Sequence, residues 1–570
     1  MPTPSIARAF RMLFAGLLLT AAIDVVRAQP TDFDVLILNG HIVDGTGAPW
    51  FTGDVGIKGD RIAAIGALAT RTAATRIDAA GMVVAPGFVD MLGQSEFNVL
   101  VDHRAASKVT MGVTTEVTGE GQSIAPVNDR MVADGKDVWD HFKLTEDFRT
   151  LGGYFDRLET RDRPAINMAS FVGAGGLRDY VIGKVERPAT PADLEKMKAL
   201  VAQAMEEGAL GLSTSLQYVP DRFNSTDDLI AMAKVAKRYG GIYITHQRSE
   251  SGAIDQSMDE VFRIAREAAI PAEIWHFKTA YKANWGRMPA VLARLEAARA
   301  EGLDVSANIY PYTRASNGLD ACLPLWVREG GIEKIIARLK DPATRERIKR
   351  EMDDPTSPGW ENQWFGSGGG DGVMVSEVLD QSLQKYEGKT LTRIGKDENK
   401  DPRDALMDIV VADRGNTQCI IAIMREDDVR AALVHRLVSI GTDSGAKAED
   451  GPLAGTKGHP RGWGSFARIL GKYVRDEKLM PLEEAIRKMT SLPAHRVGLL
   501  DRGVLRAGLA ADVTVFDPAT IRDVATFEDP NHYSVGVRTV VVNGQVVVAD
   551  GKITATRPGR ALRGPGYHAP

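Results

Sequence analysis

Four apolar, strand-like runs stop at side chains that can bind a metal ion or move a proton. These runs are TTEVTGE at Glu120, GIYITH at His246, AEIWH at His276 and LVSIGTD at Asp443. Two histidines and one anionic ligand suit zinc and leave a fourth position for a water molecule that the metal makes nucleophilic. The pattern predicts a catalytic metal site, with Asp443 as the general base that passes the water proton to a leaving nitrogen.

Three of these residues also have a structural interpretation. His246 and His276 could be hydrogen-bonded core histidines. Asp443 could be a helix N-cap, because Ser444 and Gly445 follow it. Two histidines at successive strand ends favour the metal site over the core interpretation.

A second group of residues is suited to binding a substrate carboxylate. Lys278 lies two residues after His276 and therefore on the same face of that strand. Arg461 lies in the glycine-rich segment KGHPRGWG, and a guanidinium fork matches carboxylate geometry. Tyr310 and Ser316 follow another strand-like run. The alternative for each of them is an ordinary loop residue or a solvated charge.

The elements that must position these residues alternate between strand and helix. GGIYITH precedes SMDEVFRIAREAA, and PAEIWHFK precedes MPAVLARLEAARAEG. Such alternation predicts a parallel sheet with crossover helices, closed as a (β/α)8 TIM-like barrel over residues 86–499. In that fold the active site lies at the carboxyl ends of the strands. The polar stretch 341–388 is interpreted as a loop-like insertion near the barrel mouth, and a lid is one interpretation of it.

Both ends of the mature chain have short strand patterns. Asn39-Gly40 and Asn543-Gly544 are tight-turn signals between apolar runs. Residues 29–85 and 500–570 are therefore predicted to form one small β-sandwich from both ends, with a C-terminal tail.

Residues 1–28 have the features of a secretory signal peptide. Arg8 and Arg11 precede the short apolar run MLFAGLLLTAAI, and Val26-Arg27-Ala28 fits a cleavage site. The run is short for a membrane span, and an uncleaved anchor is the alternative. The sequence thus predicts an exported protein, periplasmic or extracellular, without stable membrane insertion after cleavage.

Composition narrows the possible partners. The 570 residues have a formal net charge of −5, which gives no indication of nucleic-acid binding. The only two cysteines, Cys322 and Cys419, indicate that the core does not depend on disulfides, although one bridge is possible. A small molecule is the expected partner.

The chain resembles the N-acyl-D-amino-acid deacylases (D-aminoacylases) of the amidohydrolase superfamily over nearly its whole mature length. The shared segments are APGFVD, GVTTEVTGEG, GLSTSLQYVP, YITHQRSE, HFKTAYKANWG, NIYPYT, IGTDSGA, HPRGWGSFARIL, RKMTSLPAHRVGLLDRG and ADVTVFDP. The resemblance implies two zinc-binding histidines at His246 and His276 and a catalytic aspartate at Asp443. It also implies substrate-carboxylate contacts at Lys278, Tyr310, Ser316 and Arg461.

The chain departs from the family pattern at two places. A cysteine ligand of the family falls at Glu120 or Gly121, and Glu120 is preferred because glycine has no ligating side chain. A His-x-His pair that serves a second, weaker metal is replaced by Leu92 and Gln94. The resemblance therefore implies one zinc per chain, held by Glu120, His246 and His276. A second site rebuilt from oxygens of Gln94 and Glu96 is the alternative.

The expected activity is hydrolysis of the amide bond of N-acyl-D-amino acids, a carbon–nitrogen bond other than a peptide bond. The D preference follows only from the resemblance. A dipeptidase or a cyclic amide or imide hydrolase would share the chemistry. A non-catalytic binding protein on a hydrolase barrel is the alternative from another class, and Leu92 and Gln94 are its evidence.

Overall fold

The computed structural model describes residues 31–356, 359–455 and 457–568. The predicted signal peptide, residues 1–28, lies outside these ranges. Within them, no helix combines the length and the apolar character that crossing a membrane requires.

The strands alternate with helices through the middle of the chain. The strands are β1 (Phe33–Ile42), β2 (Phe51–Lys58), β3 (Arg61–Gly66), β4 (Ala73–Asp78), β5 (Val83–Pro86), β6 (Phe88–Asp90), β7 (Val113–Thr118), β8 (Asn167–Ser170), β9 (Val172–Gly173), β10 (Gly211–Ser215), β11 (Ile242–His246), β12 (Ala272–Ile274), β13 (Val305–Ile309), β14 (Arg314–Gly318), β15 (Val373–Val375), β16 (Gln418–Ala422), β17 (Val438–Ile440), β18 (Val513–Phe516), β19 (Val537–Val542), β20 (Gln545–Ala549) and β21 (Lys552–Ile553).

The α-helices vary from one turn to five. They are α1 (Asn98–Val101), α2 (Ala106–Thr110), α3 (Asp129–His141), α4 (Leu151–Thr160), α5 (Ala174–Val181), α6 (Pro191–Glu207), α7 (Thr226–Arg238), α8 (Ile254–Glu267), α9 (Met288–Ala300), α10 (Leu325–Arg328), α11 (Ile332–Lys340), α12 (Pro342–Met352), α13 (Gln363–Ser367), α14 (Leu391–Glu398), α15 (Pro402–Ala412), α16 (Glu426–Val434), α17 (Arg461–Arg468), α18 (Leu482–Met489) and α19 (Ser491–Arg496).

Eight strand positions form the predicted parallel barrel. Their order is β6, β7, β8 continuing into β9, β10, β11, β12, β13 and β17. The ends of this order meet where Met91 N donates to Ile440 O at 3.1 Å and Asp443 N donates to Leu92 O at 2.7 Å. The predicted TIM-like barrel is confirmed, and the carboxyl ends of its strands share one mouth.

The barrel helices bury the apolar stripes that their sequences predict. In α8, buried residues recur at spacings of four, three and four: Ile254, Met258, Val261 and Ala265. Such a stripe lies on one face of a helix, and here it packs against β12. Burial of these stripes on the sheet fixes where each strand ends, and hence where the functional side chains lie.

Both chain ends contribute to one nine-stranded sheet. β5 pairs with β18 in the register Val84 opposite Val515, and the order runs β21-β20-β19-β18-β5-β1-β2-β3, with β4 on β1. The sheet folds over a shared core because Ile62 of β3 and Val513 of β18 belong to the same buried cluster. The two layers predicted as a sandwich are thus parts of one continuous sheet.

The insertion is larger and more ordered than the loop-like 341–388 stretch predicted from sequence. It includes the three-stranded antiparallel sheet β14-β16-β15 and helices α10–α15. A separate core that includes Leu319, Leu406, Cys322 and Cys419 holds it together. Both cysteines are buried free thiols. The sequence predicts a loop here because the apolar partners of these polar helices are distant in sequence.

Candidate metal and carboxylate site

Three predicted ligands converge at the barrel mouth. Glu120 Oε1 lies 3.0 Å from His246 Nδ1 and 3.1 Å from His276 Nε2. The three ligating atoms all lie within 4.8 Å of one another. This is a donor set of one carboxylate and two imidazoles around one point, as a catalytic zinc site requires.

Glu120, rather than Gly121, presents a side chain to the histidines. Gly121 has φ +59°, and a Cβ on it would lie 2.3 Å from Ser215 Cβ. The backbone therefore packs tightly at Gly121 while Glu120 points into the mouth. This geometry agrees with the prediction that Glu120, and not Gly121, takes the place of the family's cysteine ligand.

Two of the predicted site residues adopt a strained backbone conformation. His276 has φ +38° and Asp443 has φ +50°. Positive φ is unfavourable for residues other than glycine and is often retained where a side chain must be aimed. At these two strand ends, the surrounding barrel holds each side chain toward the cavity.

Partners that sequence reasoning missed orient both imidazoles. Gln217 Oε1 lies 3.1 Å from His246 Nε2, and Glu250 Oε1 lies 3.1 Å from His276 Nδ1. At His246, an acceptor at the far nitrogen leaves the nitrogen that faces Glu120 with its lone pair free for a metal. Glu250 belongs to the THQRSE segment, where its spacing of four residues from His246 was the only available signal.

Lys278 lies in the mouth, but its ammonium is already engaged. Lys278 Nζ donates to Glu250 Oε1 at 2.7 Å and lies 2.7 Å from His276 Nδ1. Burial opposes the charge of Glu250, but Lys278 and the histidines outweigh it and lower the pKa of this carboxyl. Lys278 thus holds Glu250 ionised beside His276, and its predicted contact with a substrate carboxylate stays a prediction.

Asp443 lies near the cluster, linked to Glu120 through Gln94 Nε2, and forms an ion pair. Its Oδ2 lies 2.7 Å from Arg461 Nη1, and Arg461 Nη2 donates to Ser316 O at 3.2 Å. The guanidinium also lies 4.7 Å above the ring of Tyr310. A carboxylate that could act as a base and a cation that could bind an anionic group are therefore adjacent.

Two buried donors near Asp443 lack a hydrogen-bond partner among the described residues. They are Arg461 Nε and the Tyr310 hydroxyl. Burial raises the pKa of Tyr310 well above its usual value, so the phenol keeps its proton. Buried donors without partners are costly. Arg461 lines the cavity, so an anionic ligand bound beside its guanidinium would be stabilised.

A cavity of about 580 Å³ opens over these groups. Of the predicted residues, Glu120, His246, His276, Lys278, Ser316, Asp443 and Arg461 line it. Tyr310 is not among its lining residues, because it lies behind Arg461 and is 1% exposed. Its expected contact with substrate therefore acts through Arg461.

The two positions that replace His-x-His differ in environment. Leu92 is 0% exposed and packs in a core cluster with Met91 and Trp275. Gln94 directs Nε2 toward Glu120 Oε2 at 2.5 Å. Glu96 accepts from Gly119 N at 2.8 Å, and it is not among the residues that line the cavity. Oxygens of Gln94 and Glu96 are therefore not presented as a second ligand set.

A buried ammonium fixes the segment that contains Asp443. Lys108, 0% exposed, donates to Asp90 Oδ2, Thr442 Oγ1 and Ser444 O at 2.7–2.8 Å and lies 3.3 Å from Glu116 Oε2. Burial alone would lower the pKa of Lys108, but the charges of Asp90 and Glu116 raise it by more. The net pKa is above its usual value, so Lys108 remains charged. The residues on both sides of Asp443 are thus held by one cation.

We expect Lys108→Met to destabilise the fold by about 3–5 kcal/mol, because it leaves two buried carboxylates without their cation. Chemical denaturation followed by tryptophan fluorescence measures this loss. The control is Lys136→Met, which removes an exposed i,i+4 pair with Asp140. Equal stability of the two variants would show that the buried network contributes little.

The chain is similar in sequence to known amidohydrolases. A sequence profile described as "Amidohydrolase family" matches residues 380–548. The D-aminoacylase of Alcaligenes xylosoxydans xylosoxydans is 34% identical over 94% of this chain and 98% of its own length.

Two solved structures of relatives match the fold over 93% of this chain. One D-aminoacylase has a TM-score of 0.77 and 34% identity to this chain, and the match covers 93% of this chain and 100% of that one. That D-aminoacylase is described as having a binuclear metal centre with "one-metal activation and second-metal attenuation". The N-acyl-D-glutamate deacylase of Bordetella bronchiseptica, complexed with zinc and a phosphonate mimic of the tetrahedral intermediate, has a TM-score of 0.77, 32% identity and coverage of 93% and 99%. The chain belongs to the D-aminoacylase family of amidohydrolases.

Proposed function

We propose that this protein hydrolyses the amide bond of N-acyl-D-amino acids. The observation that carries the proposal is the convergence of Glu120, His246 and His276 in one cavity with the Asp443–Arg461 pair. The cavity therefore offers metal ligands together with a carboxylate base that is paired with a cation. The names of the family relatives support an N-acyl-D-amino acid as the molecule that binds there.

The residues present fit one zinc ion per chain. Glu120 supplies an oxygen, and the imidazole nitrogens of His246 and His276 that face it supply two more donor atoms. Gln217 accepts from the far nitrogen of His246 and so leaves the near one free for a metal. When bound, zinc supplies a positive charge that polarises an acyl carbonyl and acidifies water. The zinc-bound deacylase of Bordetella bronchiseptica supports the choice of metal.

The chain's own groups divide the remaining work. Asp443 takes a proton from the attacking water and returns it to the departing amine. Arg461 holds the substrate carboxylate, and Tyr310 supports the guanidinium from behind. Lys278 and Glu250 keep His276 oriented. These assignments require the substrate amide to lie between the metal ligands and Asp443.

The cavity walls favour a neutral substrate side chain. Arg328 lines the cavity but donates to Asp320 Oδ2 at 3.1 Å, and Lys447 donates to both oxygens of Glu377 at 2.7 Å. Both cations are therefore neutralised by carboxylates. A second substrate carboxylate would compete with these partners, so we propose N-acyl derivatives of neutral amino acids as the better substrates.

A substrate panel tests the proposed activity. Zinc-loaded protein is assayed for amino-acid release from N-acetyl-D-methionine, its L enantiomer, N-acetyl-D-glutamate, a dipeptide and a hydantoin. Release that is fastest from N-acetyl-D-methionine supports the proposal. Turnover confined to the dipeptide or the hydantoin would reassign the substrate. Binding of N-acetyl-D-methionine without any turnover would favour a binding protein.

The assignment of Arg461 predicts a selective effect. We expect Arg461→Gln to lower kcat/KM for N-acetyl-D-methionine about 100-fold, because the substrate carboxylate loses its charged partner. For N-acetyl-D-methioninamide, which has no carboxylate, the change should be much smaller. Arg328→Gln is the control on the same cavity wall. Equal losses on acid and amide would refute carboxylate binding by Arg461.

We also propose that the protein is exported to the periplasm or the extracellular medium. The support is the sequence of residues 1–28, with its basic start, apolar run and small-residue cleavage motif. Fractionation of cells that express the full chain, with N-terminal sequencing of the mature protein, tests this proposal. An uncleaved product in the cytoplasm would contradict it.

A further inference from the structure

A side-chain amide lies between two carboxylates of the site. Gln94 Nε2 is 2.5 Å from Glu120 Oε2 and 3.4 Å from Asp443 Oδ1. Both partners accept hydrogen bonds, so the amide nitrogen, rather than its oxygen, must face them. Gln94 therefore presents two N–H donors to the gap between these carboxylates.

Each carboxylate uses its other oxygen elsewhere. Glu120 Oε1 faces the two histidines, and Asp443 Oδ2 faces Arg461. Without a donor between them, the two inner oxygens would repel each other in a buried site. The amide at this place relieves the repulsion without adding a charge.

We propose that the Gln94 amide takes the place of a second metal ion, holding Glu120 and Asp443 apart at a fixed geometry and keeping the site mononuclear. This inference rests on the proposed function and assigns Gln94 as a positioning residue. The role is distinct from ligation, because the amide oxygen is turned away from both carboxylates.

The surroundings of Gln94 leave too few ligands for a second ion. Leu92 has no donor atom and is 0% exposed in the core. Glu120 Oε2 and Asp443 Oδ1 then provide two oxygens, whereas zinc sites in proteins have about four ligands. A zinc ion would also have to displace the Gln94 amide, which already satisfies both oxygens.

This arrangement has a consequence for the response to zinc. A related D-aminoacylase is described by one-metal activation and second-metal attenuation. With the second position taken by an amide, the activity of this protein should rise to a plateau as the first zinc binds. Excess zinc should not attenuate it.

The test compares wild type with Gln94→His, Gln94→Met and the control Gln122→His. Gln122 lines the same cavity, and its side chain is exposed. Each protein is equilibrated with excess zinc, passed through a desalting column and analysed by elemental mass spectrometry. We expect about one zinc in wild type, Gln94→Met and Gln122→His, and about two in Gln94→His, where an imidazole joins Glu120 and Asp443.

Kinetics on N-acetyl-D-methionine provide the second readout. Gln94→Met keeps the shape of the side chain but loses both donors, so kcat should fall about tenfold with KM nearly unchanged. In Gln94→His, activity should decline as zinc is raised beyond one equivalent, and in Gln122→His it should not.

Two results would overturn the inference. They are two zinc ions in wild type, and one zinc in Gln94→His with no attenuation at high zinc. The metal count does not depend on turnover, so these results can be read even if no N-acyl-D-amino acid is hydrolysed. Absence of hydrolysis in all variants, with the expected zinc counts, would refute the proposed activity and leave the role of Gln94 intact.

Discussion

Asp443→Asn should lower kcat about a thousandfold while the protein keeps its zinc. The amide has nearly the same shape as the carboxylate but cannot accept the proton of the attacking water, and a positioned acid–base group contributes about 10²–10⁴-fold. Asp443 is outside the cluster of Glu120, His246 and His276, so the metal should remain. Steady-state kinetics with zinc analysis of the same sample measures both effects.

Asp523→Asn is the matched control. Asp523 pairs with Arg468 at 2.8 Å and is 14% exposed, whereas Asp443 pairs with Arg461 at 2.7 Å and is 11% exposed. The two arginines belong to the same helix, α17. Asp523 is not among the residues that line the cavity, so its variant should keep most of the activity. Similar rates for the two variants would mean that Asp443 acts only as an ion-pair partner.

His276→Ala should remove zinc and activity together. Loss of one of three protein ligands leaves only Glu120 and His246 to hold the ion. Without the metal the reaction loses several kcal/mol of stabilisation, equivalent to about a thousandfold or more in rate. Zinc analysis after mild dialysis and turnover of N-acetyl-D-methionine should fall in parallel.

The control is His435→Ala, which removes a histidine outside the cavity. His435 Nε2 lies 3.1 Å from Glu296, a pair similar to that between His276 and Glu250. This variant should keep about one zinc per chain and nearly full activity. Retention of both zinc and activity in His276→Ala would contradict the proposed ligand set.

Most of the fold could be predicted because local patterns repeat. Alternation of buried strands with amphipathic helices such as α8 predicts the barrel, and the predicted turn at Asn543-Gly544 lies between β19 and β20. The predicted turn at Asn39-Gly40 is wrong, because both residues lie inside β1, where the register against β2 shifts as a bulge between Ile37 and Gly40. The extent of the insertion could not be read in this way. Its core joins Leu319 to Leu406 and Cys419, residues too distant in sequence to form a period.

The sequence likewise predicts some residues of the site and not others. The sequence predicts that four residues come together, because each lies at or just after the end of a strand and a barrel brings strand ends together: Glu120, His246, His276 and Asp443. The sequence does not predict the contacts of Gln217, Glu250 and Gln94. Hydrogen bonds between side chains of different loops leave no pattern in the sequence. Lys278 illustrates the limit, because its strand position was right while its partner, Glu250, was unforeseen.

The terminal sheet makes the order of folding dependent on the order of synthesis. β5 leads directly into the first barrel strand, β6, yet its neighbour β18 leaves the ribosome only after the whole barrel sequence. Until then the edge of β5 has no partner, and closing the sheet requires a contact between very distant parts of the chain, which is slow. A deletion near the C-terminus should therefore expose the N-terminal strands to aggregation, although the barrel sequence remains complete.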